Sequence, residues 1–138
     1  MGYQSYKDLE IYQVAHELAI EMHEMSLTLP RFELYEEGSQ IRRSSKAIST
    51  NLVEGFGRRR YKNEFIKFLI YALASCDETR EHLDLLFKTK SFGDKASYER
   101  FAHRYDELGR RLNKFTQSVE RNHLPPKSSI DVRNVSTI

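Results

Sequence analysis

Residues Gln40 to Arg60 read QIRRSSKAISTNLVEGFGRRR. Ile41, Ser45, Ile48, Leu52 and Phe56 recur there at spacings of four and three, so they share one face of a helix. Ser39 can cap its start. Gly57 suits the left-handed residue that often follows a last turn. Arg42, Arg43 and Lys46 open the helix, and Arg58, Arg59, Arg60 and Lys62 lie just past its end, with Lys67 one turn further. The two basic clusters stand about 24 Å apart along such a helix, so they can serve different surfaces.

The same periodicity extends in both directions. Before Pro30, Ile11, Ala15, Leu18, Met22, Met25 and Leu29 form one stripe, with Ser5 or Asp8 as the cap. After the arginines come Phe65, Leu69, Ala72, Cys76, Thr79, Leu83 and Leu86, capped by Asn63. A last stripe holds Tyr98, Phe101, Tyr105, Leu108, Leu112, Phe115 and Val119, capped by Asp94 or Ser97. Alternation with a period of two is never sustained. Four helices with short joints predict an all-α fold, an antiparallel up-down-up-down four-helix bundle over residues 1–123. Leu124 to Ile138, opening on Pro125 and Pro126, has no helical pattern and is expected to be a flexible tail.

A chain of 138 residues is a single-domain length. Its 22 Lys and Arg nearly balance 20 Asp and Glu, yet they are unevenly placed. Residues 1–40 hold eight acidic and two basic side chains, whereas residues 41–67 hold eight basic and two acidic. Such a split is either an interaction surface or a pair of helices neutralising each other. No apolar run approaches the roughly 18 residues of a membrane span, and no secretory signal opens the chain. A cytoplasmic protein is the expectation.

Catalytic chemistry finds little footing. A di-iron bundle needs Glu-x-x-His on two helices, and only Glu120 to His123 matches. One cysteine excludes a cysteine zinc site, and Cys76 sits within an apolar stripe. Gly55-Phe56-Gly57 lacks the Lys-Ser/Thr of a phosphate-binding loop. No cofactor, metal or catalytic residue is expected. Two polar pairs near the seams, Asn51 with Glu54 and Ser75 with Glu78, each lie three residues apart. They are expected to form a structural polar network, at least partly buried and hydrogen-bonded, with Arg43 or Arg58 as a cation partner. The nucleic-acid candidates are Arg42, Arg43, Lys46, Arg58, Arg59, Arg60 and Lys62, because arginine offers paired donors to phosphate oxygens. The competing expectation pairs Arg58–Arg60 with Glu33, Glu36 or Glu37, or with a neighbouring subunit. The apolar stripes are wider than one bundle needs, and eight Tyr with eight Phe is a large aromatic supply, so a homo-oligomer is expected.

Three stretches carry a resemblance: YKDLEIYQVAHEL from Tyr6, QIRRSSKAISTNLVEGFGR from Gln40 and FLIYALASCDETREHL from Phe68. Together they resemble the 23S ribosomal RNA intervening-sequence proteins, over about Tyr6 to Phe115. Gln40, Arg42, Arg43, Asn51, Glu54, Gly55, Ser75 and Glu78 match that family's pattern. Ser49, Ala74, Cys76 and Thr79 depart from it. The resemblance implies a bacterial four-helix bundle without enzymatic activity, assembling as a ring-like homopentamer. It also implies nucleic-acid contact in one related group, so RNA or a nucleoprotein is the expected partner. A protein-protein adaptor without nucleic-acid binding is the alternative.

Overall fold

The computed structural model describes residues 2–123, so the expectation of a flexible tail over 124–138 falls outside the described residues. Four helices account for most of the chain: α1 (Glu10–Ser26), α2 (Glu37–Gly57), α3 (Lys62–Lys88) and α4 (Lys95–Asn122). Each lies antiparallel to the next, as the short joints require. α2 packs against both α1 and α3, most extensively against α3, and α3 packs against α4. The expected stripes meet in one core. Ala15, Leu18, Met22, Ile41, Ile48, Leu52, Leu69, Ala72, Cys76, Leu86, Tyr105 and Leu112 are all shut off from solvent.

The helix ends depart from expectation in instructive ways. Ser5 and Asp8 cap a short 3-10 turn, Tyr6–Asp8, in which the Lys7 N–H donates to Ser5 Oγ at 3.1 Å. The buried Leu9 then leads into α1. α1 stops at Ser26 rather than running to Pro30, and a second 3-10 turn, Arg31–Tyr35, leads into α2 two residues before Ser39. Gly57 is not left-handed: no glycine among the described residues has a positive φ. The left-handed position falls after α3, at Lys90 (φ 67°), where the Phe92 N–H reaches back to the Leu86 carbonyl. Tyr61, not Asn63, precedes α3, in an extended conformation and without a side-chain cap. Asp94 caps α4 as expected, accepting from the Ser97 N–H at 3.2 Å.

Two details set the packing between helices. A Cβ on Gly55 would stand 3.0 Å from Phe68 Cβ, so the bare backbone of Gly55 lets α2 and α3 close up. Across the same interface, the Thr79 hydroxyl lies 2.8 Å from the Ser44 hydroxyl, a buried polar link, and within α3 it lies 2.8 Å from the Ser75 carbonyl. The Tyr105 hydroxyl, by contrast, has no hydrogen-bond partner among the described residues. Burial pushes its ionisation far above the usual phenol range. A stranded hydroxyl costs about 1–3 kcal/mol. Tyr105→Phe is therefore expected to raise stability by about 1 kcal/mol in a urea melt, and a loss of stability would refute that reading.

Candidate nucleic-acid interface

The joint between α2 and α3 gathers the basic residues on a braced backbone. The Arg58 N–H donates to the Gly55 carbonyl, and the Tyr61 N–H donates to that of Arg58 at 3.0 Å. Phe65 then bonds back to Tyr61 and starts the helix. At the end of α4, His123 Nε2 lies 2.6 Å from the Arg59 carbonyl, tying a third helix to the joint. The turn is thus held from both flanks and from across the bundle.

The three arginines take different positions. Arg58 is clamped between Glu54 and Glu64, with both contacts at 2.9 Å. Its guanidinium holds the Glu64 carboxyl below the usual carboxylate range, mainly through that hydrogen bond. It also stands 4.9 Å from the Phe68 ring centroid. Arg59 lies over the Phe56 ring at 3.9 Å and donates to the Phe56 carbonyl. Arg60 has its guanidinium carbon 6.0 Å from the Tyr61 ring centroid. Lys62 is exposed, and Lys67 pairs with Glu64 at 3.4 Å. Tyr61 itself is 63% exposed in the midst of these cations. The sequence reading passed over it, although an aromatic residue within RRRYK was the available signal.

The cluster at the start of α2 is of another kind. Arg42 turns inward, donating to Ser26 Oγ at 2.9 Å and to the Leu34 carbonyl at 2.5 Å. It fastens the 3-10 turn to α1 and α2, and both of its terminal nitrogens are engaged in the fold. Lys46 Nζ sits 3.0 Å from His23 Nδ1, while Arg43 is exposed.

The expected polar network forms only in part: Glu54 meets Arg58, one of its expected cation partners, at 2.9 Å. Among the described residues no hydrogen bond joins the side chains of Asn51, Glu54, Ser75 and Glu78 to one another. Glu54 is exposed and serves Arg58, and Glu78 contacts His82 Nε2 at 3.2 Å. Asn51 and Ser75 are half-buried. Polar crossings between elements are made instead by Ser44 with Thr79, by His82 with Glu37 at 2.6 Å, and by Ser91 with the buried Glu33 at 2.6 Å. Thr79 lies in a predicted apolar stripe, where a hydroxyl signals an internal hydrogen bond, whereas its partner Ser44 lies outside the predicted stripe of α2.

The acidic N-terminal segment finds its partners elsewhere than the basic block. Glu21 meets Arg100 and Arg104 at 2.9 Å each, and Glu10 meets Arg111, all on α4. Glu37, at the far end of α2, lies about 30 Å from Arg58 along the helix. That length separates Arg58 from the carboxylates of Glu33, Glu36 and Glu37 within one subunit.

Among the described residues no three His, Cys, Asp or Glu side chains cluster so as to hold a metal ion. Burial pushes the Cys76 thiol up to about 12, so it is protonated at neutral pH and shut inside the core. No described helix is long and apolar enough to cross a membrane.

Fold and site together define a helical bundle that displays a basic pole at the joint between α2 and α3. Residues 7–114 match the family described as 23S rRNA-intervening sequence protein. That span is most of the chain, and the chain belongs to this family. A similar solved structure is a protein of unknown function from the S23 ribosomal protein family of Bacteroides thetaiotaomicron. It is 23% identical, with a TM-score of 0.67, covering 78% of this chain and 95% of its own. At that identity the likeness speaks for the fold. No curated protein matches the chain.

Proposed function

We propose that the protein is a non-enzymatic, oligomeric bundle that binds RNA or a nucleoprotein through its basic helix ends, chiefly the joint between α2 and α3. The observation that carries this reading is the braced pole bearing Arg58, Arg59, Arg60 and Lys62. Cations held on a fixed backbone meet phosphates without first ordering a loop. Of the cluster at the start of α2, Arg43 and Lys46 offer a second basic site about 20 Å along the helix from the joint, while Arg42 supports the fold. Self-association has its own support. Ile20 on α1, Leu27 just past its end, and Ile70, Tyr71 and Leu85 on α3 leave large apolar side chains in water. A second copy of the chain would cover them, in the ring that the family resemblance implies. Light scattering is expected to give a multiple of 16.3 kDa, fivefold for that ring.

Binding to RNA is expected to fall steeply with salt, because each neutralised phosphate releases counterions. Replacing Arg59, Arg60 and Lys62 by Gln removes three cations and leaves the Arg58 clamp in place. The slope of log affinity against log salt should shallow by about 2, at roughly 0.7 per contact on a single strand. Helicity should be unchanged. No affinity for RNA at about 50 mM salt, with the oligomer intact, would leave the adaptor reading in its place.

A further inference from the structure

We infer that the joint binds single-stranded nucleic acid with the ring of Tyr61 as a platform on which one base stacks, a contact that a duplex cannot make. This rests on the nucleic-acid reading above and adds the form of strand recognised. Tyr61 is 63% exposed, although a phenol ring gains by leaving water. Its immediate neighbours in the chain are Arg60 and Lys62. Its backbone is bonded on both sides, through its N–H to Arg58 and its carbonyl to Phe65, so the ring's anchor is preset. The other exposed tyrosines lack this combination. Tyr35 is 83% exposed but stands beside Glu33, Glu36 and Glu37, whose charges repel phosphate. Tyr71 packs edge-on against Phe68, with ring centroids 5.3 Å apart.

A single strand offers phosphates and unpaired base faces together. Cations around an aromatic ring fit both, and stacking tolerates any base because every base has a π-face. In a duplex the base faces cover one another, so the same surface would engage phosphates alone. Stacking on Tyr61 therefore adds affinity for the single strand only.

Fluorescence anisotropy with labelled oligouridylate and oligothymidylate of about 12 nucleotides, and with an RNA duplex of about 40 base pairs, tests this. Tyr61→Ala is expected to weaken binding of both single strands by about 5- to 100-fold. The salt slope should stay the same, because no phosphate contact is lost. Tyr61→Phe should bind as the wild type does, and Tyr35→Ala should change nothing. Duplex binding should be equal for wild type and Tyr61→Ala. Circular dichroism confirms the fold of each variant. Single-strand binding unaffected by Tyr61→Ala, or weakened no more than duplex binding, would overturn the inference and leave the nucleic-acid reading standing. A wild type that binds neither strand form would overturn both.

Discussion

Leu52→Ala is expected to cost about 2–5 kcal/mol of folding stability, the range for emptying a fully buried leucine site. Leu52 has no solvent exposure and lies in the C-terminal half of α2, one turn from Ile48 and from Phe56. α2 packs against two neighbours, so truncation leaves a hole that few side chains can move to fill. The loss combines the transfer of the missing methyl groups with the cavity that remains. At roughly 3–4 °C per kcal/mol for a chain of this size, the melting temperature should drop by about 10 °C. Leu85→Ala serves as the comparison. Leu85 is 38% exposed on α3 of a single subunit, so its truncation should cost less than about 1 kcal/mol where no second copy covers it. Equal losses at the two sites would mean that Leu85 is covered in solution, as it would be inside an oligomer. A loss at Leu52 below about 1 kcal/mol would contradict the packing described here.

Gly38→Ala is expected to be the next most damaging change, at about 2 kcal/mol net. A Cβ on Gly38 would stand 2.5 Å from the Glu33 carbonyl oxygen and 3.3 Å from Arg42 Nη1. The nearer atom is backbone, and the Glu36 N–H already bonds to that carbonyl. The 3-10 turn would have to lift away from α2. That movement loosens the Glu33 contact with Ser91 and the Arg42 contact with Leu34, each worth about 1 kcal/mol. Alanine's better helix propensity returns up to about 1 kcal/mol. Gly57→Ala isolates that last term. Nothing lies within 4 Å of a Cβ there and φ is not positive, so this variant should be neutral or slightly stabilised. Guanidinium melts of the pair give the comparison, and a Gly38→Ala protein as stable as the wild type would show that the turn yields freely.

Much of this architecture is legible in the sequence because it depends on local periodicity. Ile41, Ile48, Leu52 and Phe56 name the buried side of α2 wherever its neighbours stand. The family, too, was legible from motifs such as QIRRSSKAISTNLVEGFGR. Helix ends were harder to read. Both Gly57 and Asn63 were plausible punctuation, yet the backbone turns at Arg58 to Tyr61 through hydrogen bonds that need neither a left-handed glycine nor an Asn cap.

The candidate site divides along the same line. The sequence alone determined that three arginines and a lysine crowd one short joint, since only Tyr61 separates Arg60 from Lys62. The tertiary structure decided what each cation does. Arg42 and Arg43 are adjacent in sequence, but their side chains leave the helix about 100° apart, so one turns into the bundle and the other into solvent. Arg58 took its carboxylates from Glu54 and Glu64, and the acidic α1 took its arginines from α4. An amphipathic stripe records only that a side chain faces the core. Which charge it meets depends on which helices become neighbours and in what register, and that is settled only when the four apolar faces close on one another.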